Sequence, residues 1–255
     1  MEDALYDRIG HGYRATRRTD PRLAQLIWNG LGDAETVLNV GAGSGAYEPP
    51  GRSVCALEPS AVMIAHRPLG AARAVQGRAE ALPFDDGSFD AVMAVLSDHH
   101  WRERQQGLRE LRRVARRRVV LFNADPAEAN LFWLTAEYLP GFLDLIPLPY
   151  RAAGAWQYEL ERLLGPVRRV PAPIPHDCLD GFYGAFWRRP AAYLDASVRA
   201  GISVFAALDA VDVDDAVREL RADLRSGRWD KRHRNLCDRS DLHLGYYVAI
   251  AELGQ

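Results

Sequence analysis

The sequence predicts an α/β protein built on a doubly wound, mostly parallel sheet of seven strands. Short apolar runs alternate with amphipathic helical segments along most of the 255 residues, which is typical of βαβ units. A glycine-rich turn, 41–45, follows the first apolar run, and Glu58 ends the second. Turns of this kind lie at the carboxyl edge of a parallel sheet, where ligands bind in such folds.

The predicted strands are short, apolar and bounded by turn residues. They are 36–40, 53–57, 72–76, 90–96, 119–122, 167–174 and 244–251. Predicted helices precede the first strand and cover 61–66, 102–115 and 155–164, with two more before the last strand. Ser60 is the predicted N-cap of the second helix. We expect the last strand to close one edge of the sheet.

These patterns predict a single domain with four regions. Residues 1–33 form an N-terminal helical lid, and 34–125 form the cofactor-binding core. Residues 126–166 are rich in aromatics and prolines and are predicted to be a helical cap inserted into the fold. Residues 167–255 supply the rest of the sheet and a helical insertion on the substrate side.

Composition excludes several classes of function. The net charge of −2 gives no global attraction to nucleic acid or membranes. The three cysteines are far apart, so neither a disulfide framework nor a zinc site is predicted, and no metal is expected. No apolar run approaches the roughly 20 residues that cross a bilayer. We therefore expect a cytoplasmic protein with a small-molecule partner, and its oligomeric state stays open.

The glycine turn alone fits two classes of enzyme. Its sequence, GAGSGA, satisfies both GxGxG and GxGxxG/A, and a tight turn without any ligand is the third possibility. Pro49 and Pro50 favour one class, because prolines cannot lie inside a helix. A dinucleotide site needs a full helix after the turn, with its N-terminus at the pyrophosphate, whereas a sulfonium cofactor carries no phosphate.

Three further segments carry a family resemblance. They are VLNVGAGSG, ALEPS and GRAEALPFDDGSFDAVMAVLSDHHW, followed by LRRV at the end of a helix. Together they resemble the class I S-adenosylmethionine-dependent methyltransferases, in particular the group that includes the ubiquinone and menaquinone C-methyltransferases. The resemblance spans about residues 6–123 and implies a Rossmann-like fold with S-adenosylmethionine as cofactor.

The resemblance also implies roles for individual residues. Gly41, Gly43 and Gly45 would surround the methionine part of the cofactor, and Glu58 would bind its ribose. The remaining positions of the predicted cofactor site are Tyr13, Asn39, Pro59, Ala79, Glu80 and Leu96. Of these, Tyr13 would reach the cofactor carboxylate, Ala79 and Glu80 would lie by the adenine, and Leu96, with Ser97, would line the sulfonium side.

Two positions depart from the family pattern. Asn39 stands where the family often has aspartate, so this position carries no charge. Arg78 replaces the acidic residue usual before Ala79, which removes a common acceptor for the adenine amine. Glu80 either substitutes for that acceptor or the contact is lost.

His99 and His100 are the predicted catalytic residues. They follow the fourth strand at the ligand-binding edge, and an imidazole could take a proton from a hydroxyl, amine or activated carbon. The alternative is that one histidine packs and the other caps the next helix. His176 is a second candidate base.

Two arginine groups have less specific interpretations. Arg14, Arg17 and Arg18 could bind an anion but fit a solvated face equally well. The run of six arginines between 109 and 118 is interpreted as a solvated face, since no aromatic platform accompanies it.

The sequence therefore predicts methyl transfer from S-adenosylmethionine to a small molecule, at carbon, nitrogen or oxygen. The aromatic cap favours a planar or hydrophobic acceptor. Two alternatives remain at this point: an NAD(P)-dependent oxidoreductase and a non-catalytic protein that binds S-adenosylmethionine.

Overall fold

Seven strands form one mixed sheet in the computed structural model, which describes residues 17–254. Along the chain they are β1 (Thr36–Val40), β2 (Ser53–Glu58), β3 (Arg73–Gln76), β4 (Phe89–Val95), β5 (Ala115–Ala124), β6 (Val167–Pro171) and β9 (Tyr246–Glu252). Their spatial order is β3-β2-β1-β4-β5-β9-β6. The first five are mutually parallel, and β9 runs antiparallel to both of its neighbours. The predicted doubly wound, mostly parallel sheet is thus confirmed.

The position of the last strand differs from the prediction. We expected it at an edge of the sheet, but β9 lies between β5 and β6. Six of its seven side chains are buried in succession, which requires cover on both faces of the strand. The edge is instead the shorter β6, whose Arg168 and Arg169 suit an exposed boundary.

The sixth strand also ends earlier than predicted. Hydrogen bonding to β9 stops at Pro171, and Pro173 follows two residues later; neither proline has an N–H to donate. The chain then forms β7 (Ile174–Pro175), which pairs with β8 (Asp241–Leu242) in a separate two-stranded sheet.

Helices in the described part of the chain flank the sheet. They are α1 (Pro21–Gly30), α2 (Ala61–Ala65), α3 (Arg104–Val114), α4 (Phe142–Leu145), α5 (Ala155–Leu164), α6 (Ala196–Ala200), α7 (Ser203–Ala207), α8 (Ala210–Ser226) and α9 (Arg228–Arg232). Ser60 caps α2 as predicted, since its hydroxyl accepts the Met63 N–H at 3.2 Å. No helix between residues 17 and 254 combines the length and apolarity that a bilayer crossing demands.

The two faces of the sheet pack against different apolar clusters. Val120 and Phe122 of β5 join α1 and the aromatics of 132–138 on one face. Val119 and Leu121 join α3 and α5 on the other. This alternation follows from the two-residue period of a strand. It leaves the carboxyl ends of β1, β2, β4 and β5 together at one edge.

Candidate active site

The turn after β1 has the backbone conformation that its glycines predict. Gly41, Gly43 and Gly45 have φ of +69°, +52° and +93°, a region that costs other residues energy. Gly41 also has no room for a side chain, because a Cβ there would lie 2.6 Å from the Cβ of Ser97. The Ser97 hydroxyl donates to the Val40 carbonyl at 2.9 Å. The turn is therefore clamped against the end of β4.

Glu58 connects this turn to the end of β2. Its carboxylate is buried and accepts the Gly43 N–H at 2.8 Å and the Ser60 N–H at 3.0 Å. An ionised carboxylate has about four acceptor positions and can accept from several donors at once. The turn and the carboxylate therefore lie together at the edge of the sheet where ligands bind in such folds.

The other predicted cofactor positions surround the same edge. Asn39 is buried in β1, in register with Ala56 and Met93. Pro59 follows Glu58, and Ala79 is buried in the loop after β3. Glu80 accepts the Glu103 N–H at 3.3 Å, which joins this loop to the segment after β4. Tyr13 lies outside the described residues.

Leu96 has an unusual backbone at the end of β4. Its φ of +49° lies in the left-handed region, which is strained for a branched residue and is found at functional sites. Its N–H donates to the Phe122 carbonyl at 2.8 Å, so the sheet holds this conformation. The chain consequently turns away from the sheet directly into Ser97, His99 and His100.

A cavity of about 700 Å³ opens beside these residues. Its walls come from the end of β4, the loop after β5, the 142–156 segment and residues 182–184 and 201–207. The aromatic side chains among them are Trp101, Phe132, Phe142, Tyr150, Trp156, Phe182, Tyr183 and Tyr246. The volume suits a small organic molecule.

His99 and His100 lie side by side on the cavity wall. Their ring centroids are 3.9 Å apart, and both side chains line the cavity and remain accessible to solvent. Burial, with a smaller contribution from Arg104, lowers the pKa of His99 to about 4. Burial and the neighbouring His99 hold the pKa of His100 well below its usual value. Both rings are thus neutral at neutral pH.

The low pKa of His99 predicts acid sensitivity. The unfolded chain takes up this proton near pH 6.5, whereas the folded protein takes it up near pH 4. Protons therefore favour the unfolded state in this interval, so stability falls as the pH falls. We expect His99→Gln to lose less stability than the wild type between about pH 7 and about pH 5 in urea unfolding.

His243→Gln is the control for this experiment, because His243 is exposed and does not line the cavity. The stability of this variant should depend on pH in the same way as that of the wild type. An NMR titration of His99 with a midpoint near its ordinary value would contradict the prediction.

A buried ionic network underlies the cavity. The guanidinium of Arg104 donates to Asp98 at 3.0 Å and also pairs with Glu159 of α5. It stacks over the Trp156 ring, 3.5 Å from the centroid. Asp98 also accepts from Asn123, and Glu159 accepts the Tyr150 hydroxyl at 2.7 Å. This network joins the segment after β4 to the 126–166 region.

Trp101 was not predicted as a site residue, yet it lies between the turn and the cavity. It lines the cavity, and its Nε1 would lie 3.9 Å from a Cβ on Gly41. A Cβ on Gly107 would be 2.3 Å from the Trp101 ring. A glycine inside a helix costs about 1 kcal/mol relative to alanine. Gly107 in a predicted helix was therefore the one sequence feature that could have indicated a bulky side chain, here Trp101, packed against this position.

The segment before α1 is fixed to the loop before Phe182. Buried Asp180 accepts from the Arg17 guanidinium at 2.7 Å, the Arg18 N–H at 3.2 Å and the Tyr47 hydroxyl at 2.9 Å. Arg17 also lines the cavity. Its ion pair gives it a structural partner in place of the predicted anion or solvent.

Other predicted candidates lie elsewhere. His176 is outside the cavity lining, and its backbone N–H donates to the Ser240 carbonyl at 2.9 Å. In the aromatic segment GFYGAFW (181–187), Phe182 and Tyr183 line the cavity, whereas Trp187 is fully buried and donates to the Ile174 carbonyl. Within residues 17–254 no group of three or more His, Cys, Asp and Glu side chains could hold a metal ion.

Comparison with known proteins agrees with this geometry. The profile of a methyltransferase domain family matches residues 38–122, from β1 to β5. Among solved structures, the fold is shared by a phosphoethanolamine N-methyltransferase from Haemonchus contortus. That structure contains phosphomonomethylethanolamine and S-adenosylhomocysteine. Its TM-score is 0.58 at 13% identity, and the match covers 99% of this chain and 59% of that one. No curated protein sequence gave a significant match.

A second solved structure is much more similar. It is an Anabaena variabilis protein assigned as a methyltransferase from an antibiotic biosynthesis pathway, with 31% identity and a TM-score of 0.82. The match covers 93% of this chain and 99% of that chain. Since the likeness extends almost end to end in both proteins, the chain belongs to the class I S-adenosylmethionine-dependent methyltransferases, and S-adenosylmethionine is its cofactor.

Proposed function

We propose that this enzyme methylates a small, planar and largely apolar acceptor in the cytoplasm. The observation that carries the proposal is the position of the aromatic cavity, which opens at Leu96, His99 and His100 beside the glycine turn. An acceptor there would lie next to the sulfonium side of the cofactor. The motif resemblance to ubiquinone and menaquinone C-methyltransferases supports an acceptor of quinone-like shape.

The cofactor would be held by the turn and the adjacent strand ends. Gly41, Gly43 and Gly45 would face its methionine part, Glu58 its ribose hydroxyls, and Ala79 and Glu80 its adenine. Asn39, Pro59 and Leu96 would support these contacts, with Tyr13 at the carboxylate. S-adenosylmethionine supplies a methyl group that the sulfonium already activates.

The chain itself therefore has to orient the acceptor and exclude water. The aromatic walls fix a flat molecule, and the 126–166 region, held by the Arg104–Glu159 pair, closes one side as a cap. The regions 1–33 and 126–166 would thus serve as lid and cap of one domain. Neutral His99 and His100 would accept a hydrogen bond from the acceptor and take its proton at oxygen or nitrogen. Being uncharged, they do not repel a sulfonium.

A direct test is formation of S-adenosylhomocysteine with purified protein, S-adenosylmethionine and panels of quinols, phenols and aromatic amines. We expect turnover with at least one panel. Tight binding of S-adenosylmethionine with no turnover on any of them would favour the non-catalytic alternative. Strict preference for charged aliphatic acceptors would overturn the proposed acceptor class.

A bulky substitution in the cavity should weaken acceptor binding without changing the affinity for the cofactor. Val204 of α7 lines the cavity and belongs to its 201–207 wall rather than to the end of β4. We expect Val204→Trp to lower methyl transfer by at least about tenfold through lost acceptor contacts. Its affinity for S-adenosylhomocysteine should stay at the wild-type value in calorimetry.

The matched control is Val211→Trp, since Val211 is exposed on α8 and does not line the cavity. It should behave like the wild type in both measurements. Full activity of Val204→Trp would mean that the acceptor binds elsewhere.

A further inference from the structure

A largely buried ion pair lies against the glycine turn. Arg67 comes shortly after α2, and Glu48 lies in the segment that follows the turn. Their side chains pair with each other and are only 6% and 12% exposed. Replacing a buried ion pair by apolar residues is often neutral or even stabilising. Such a pair is therefore weak evidence of a contribution to stability, and its contacts indicate another role.

Arg67 binds the backbone of the turn itself. Its Nη1 donates to the Gly43 carbonyl at 3.1 Å. On the other side of the same residue, the Gly43 N–H donates to Glu58 at 2.8 Å. Glycine is the residue with the greatest conformational freedom, and here two charged side chains remove that freedom. Arg67 and Glu58 together hold Gly43 in its left-handed conformation.

Two further contacts fix the position of the guanidinium. Nη2 of Arg67 donates to the Ala72 carbonyl at 3.1 Å, and Glu48 accepts the Ala72 N–H at 3.2 Å. Gly45 leaves the space for this arrangement, because a Cβ there would lie 3.3 Å from Nη2 of Arg67 and 3.3 Å from the Glu48 carboxylate. The ion pair thus joins the turn to the segment that leads into β3.

Tyr47 places Glu48 at this position with a strained backbone. Its φ of +65° lies in the left-handed region, which is unusual for an aromatic residue. Three contacts hold it there: its N–H donates to the Thr19 hydroxyl at 3.1 Å, its carbonyl accepts from the Trp28 indole at 2.9 Å, and its hydroxyl donates to Asp180 at 2.9 Å. Strain of this kind persists where the surrounding structure enforces it, and it is concentrated at functional sites.

The hydrogen bond from Arg67 also sets the direction of the next N–H group. No peptide bond between residues 17 and 254 is cis, and in a trans peptide the carbonyl oxygen and the following N–H point in opposite directions. The Ser44 N–H therefore points away from Arg67, and it has no acceptor in the described part of the chain. Backbone N–H groups left free in a turn are suited to an anionic group, such as the carboxylate of the methionine part.

We propose that Arg67, held by Glu48, is a positioning residue that orients the Gly43–Ser44 peptide toward the methionine part of the cofactor. Arg67 acts through the turn rather than by contact with the cofactor. It supplies the support that a helix after the turn would give, since residues 41–52 form turns. The inference rests on the proposed function, in which the glycine turn faces the methionine part and Glu58 faces the ribose.

Two ligands that differ only in the methionine part test the proposal by calorimetry. S-adenosylhomocysteine carries the whole amino-acid chain, whereas 5′-methylthioadenosine has a methyl group in its place on the same sulfur and nucleoside. We expect the wild type to bind S-adenosylhomocysteine at least about tenfold more tightly. Arg67→Met should lose most of this preference while its affinity for methylthioadenosine stays within about threefold of the wild type. Arg67→Lys should retain part of the preference.

A double variant separates positioning from folding. Arg67→Met alone leaves Glu48 without its cation, so it should also lower the melting temperature. Adding Glu48→Gln removes the second charge and should recover most of that stability. The preference for S-adenosylhomocysteine should stay lost in the double variant, because the Gly43 carbonyl still lacks its donor. Arg73→Met, an exposed position on β3, is the matched control and should keep both the preference and the stability.

Three outcomes would overturn the positioning role of Arg67. They are an unchanged preference in Arg67→Met, equal weakening of both ligands in that variant, and return of the preference together with stability in the double variant. Glu58→Ala tests the proposed cofactor placement separately. Both ligands carry the ribose, so this variant should weaken both. Unchanged binding of both ligands in Glu58→Ala would contradict the placement itself.

Discussion

Glu58→Ala is expected to weaken binding of S-adenosylhomocysteine by at least about 100-fold, because hydrogen bonds to a buried charged group are worth about 1.5–3 kcal/mol each. We assign two functions to Glu58. It orders the turn by accepting the N–H groups of Gly43 and Ser60, and under the proposed function it binds the ribose hydroxyls of the cofactor. Calorimetric titration of the purified variant would measure the loss.

Glu58→Gln separates these two functions. The amide oxygen can still accept one backbone N–H, so the fold of the turn is largely kept, but the charge that favours two ribose hydroxyls is lost. We expect intermediate affinity and near-wild-type melting for Glu58→Gln. Glu161→Ala, an exposed position on α5, is the matched control. Unchanged affinity in Glu58→Ala would remove Glu58 from the cofactor site.

Local sequence patterns were sufficient to predict that the glycine turn and Glu58 lie together. A glycine turn after one strand and an acidic end to the next must meet at the same sheet edge, since parallel neighbours end together. The prolines at 49 and 50 also counted against a dinucleotide site, and residues 41–52 form turns rather than a phosphate-binding helix. Membership of the class I S-adenosylmethionine-dependent methyltransferases excludes the alternative of an NAD(P)-dependent oxidoreductase.

The contacts that the sequence did not predict join distant segments. Arg104 meets Glu159 at a separation of 55 residues, and Arg17 meets Asp180 at a separation of 163. Neither contact has a local periodicity that would reveal it. Local patterns do not predict the position of β9 in the sheet either, because a buried strand can lie at any position that is covered on both faces. Only packing of the complete chain selects the position between β5 and β6.

Arg104→Met is expected to lower the free energy of unfolding by about 3–5 kcal/mol, as for other buried ion pairs that lose one partner. The substitution leaves two buried carboxylates, Asp98 and Glu159, without their shared cation. Met keeps similar bulk over Trp156, so lost packing is a minor part of the effect. Urea unfolding monitored by tryptophan fluorescence measures the change.

The compensated triple variant Asp98→Asn, Arg104→Met, Glu159→Gln distinguishes charge from packing. With no buried charge left, it should recover most of the lost stability. Arg162→Met, an exposed position on α5, should change stability by less than about 1 kcal/mol.

The pKa of His99 is a second readout of Arg104→Met, at the active site. Burial is the main cause of the low pKa of His99, and Arg104 is the next, so Arg104→Met should raise that pKa in an NMR titration. If the pKa of His99 did not move and the triple variant stayed as unstable as Arg104→Met, the network would be packing alone. A higher pKa of His99 in Arg104→Met, together with recovered stability in the triple variant, would mean that Arg104 has two effects. It would stabilise the junction with the 126–166 region and keep His99 uncharged beside the sulfonium.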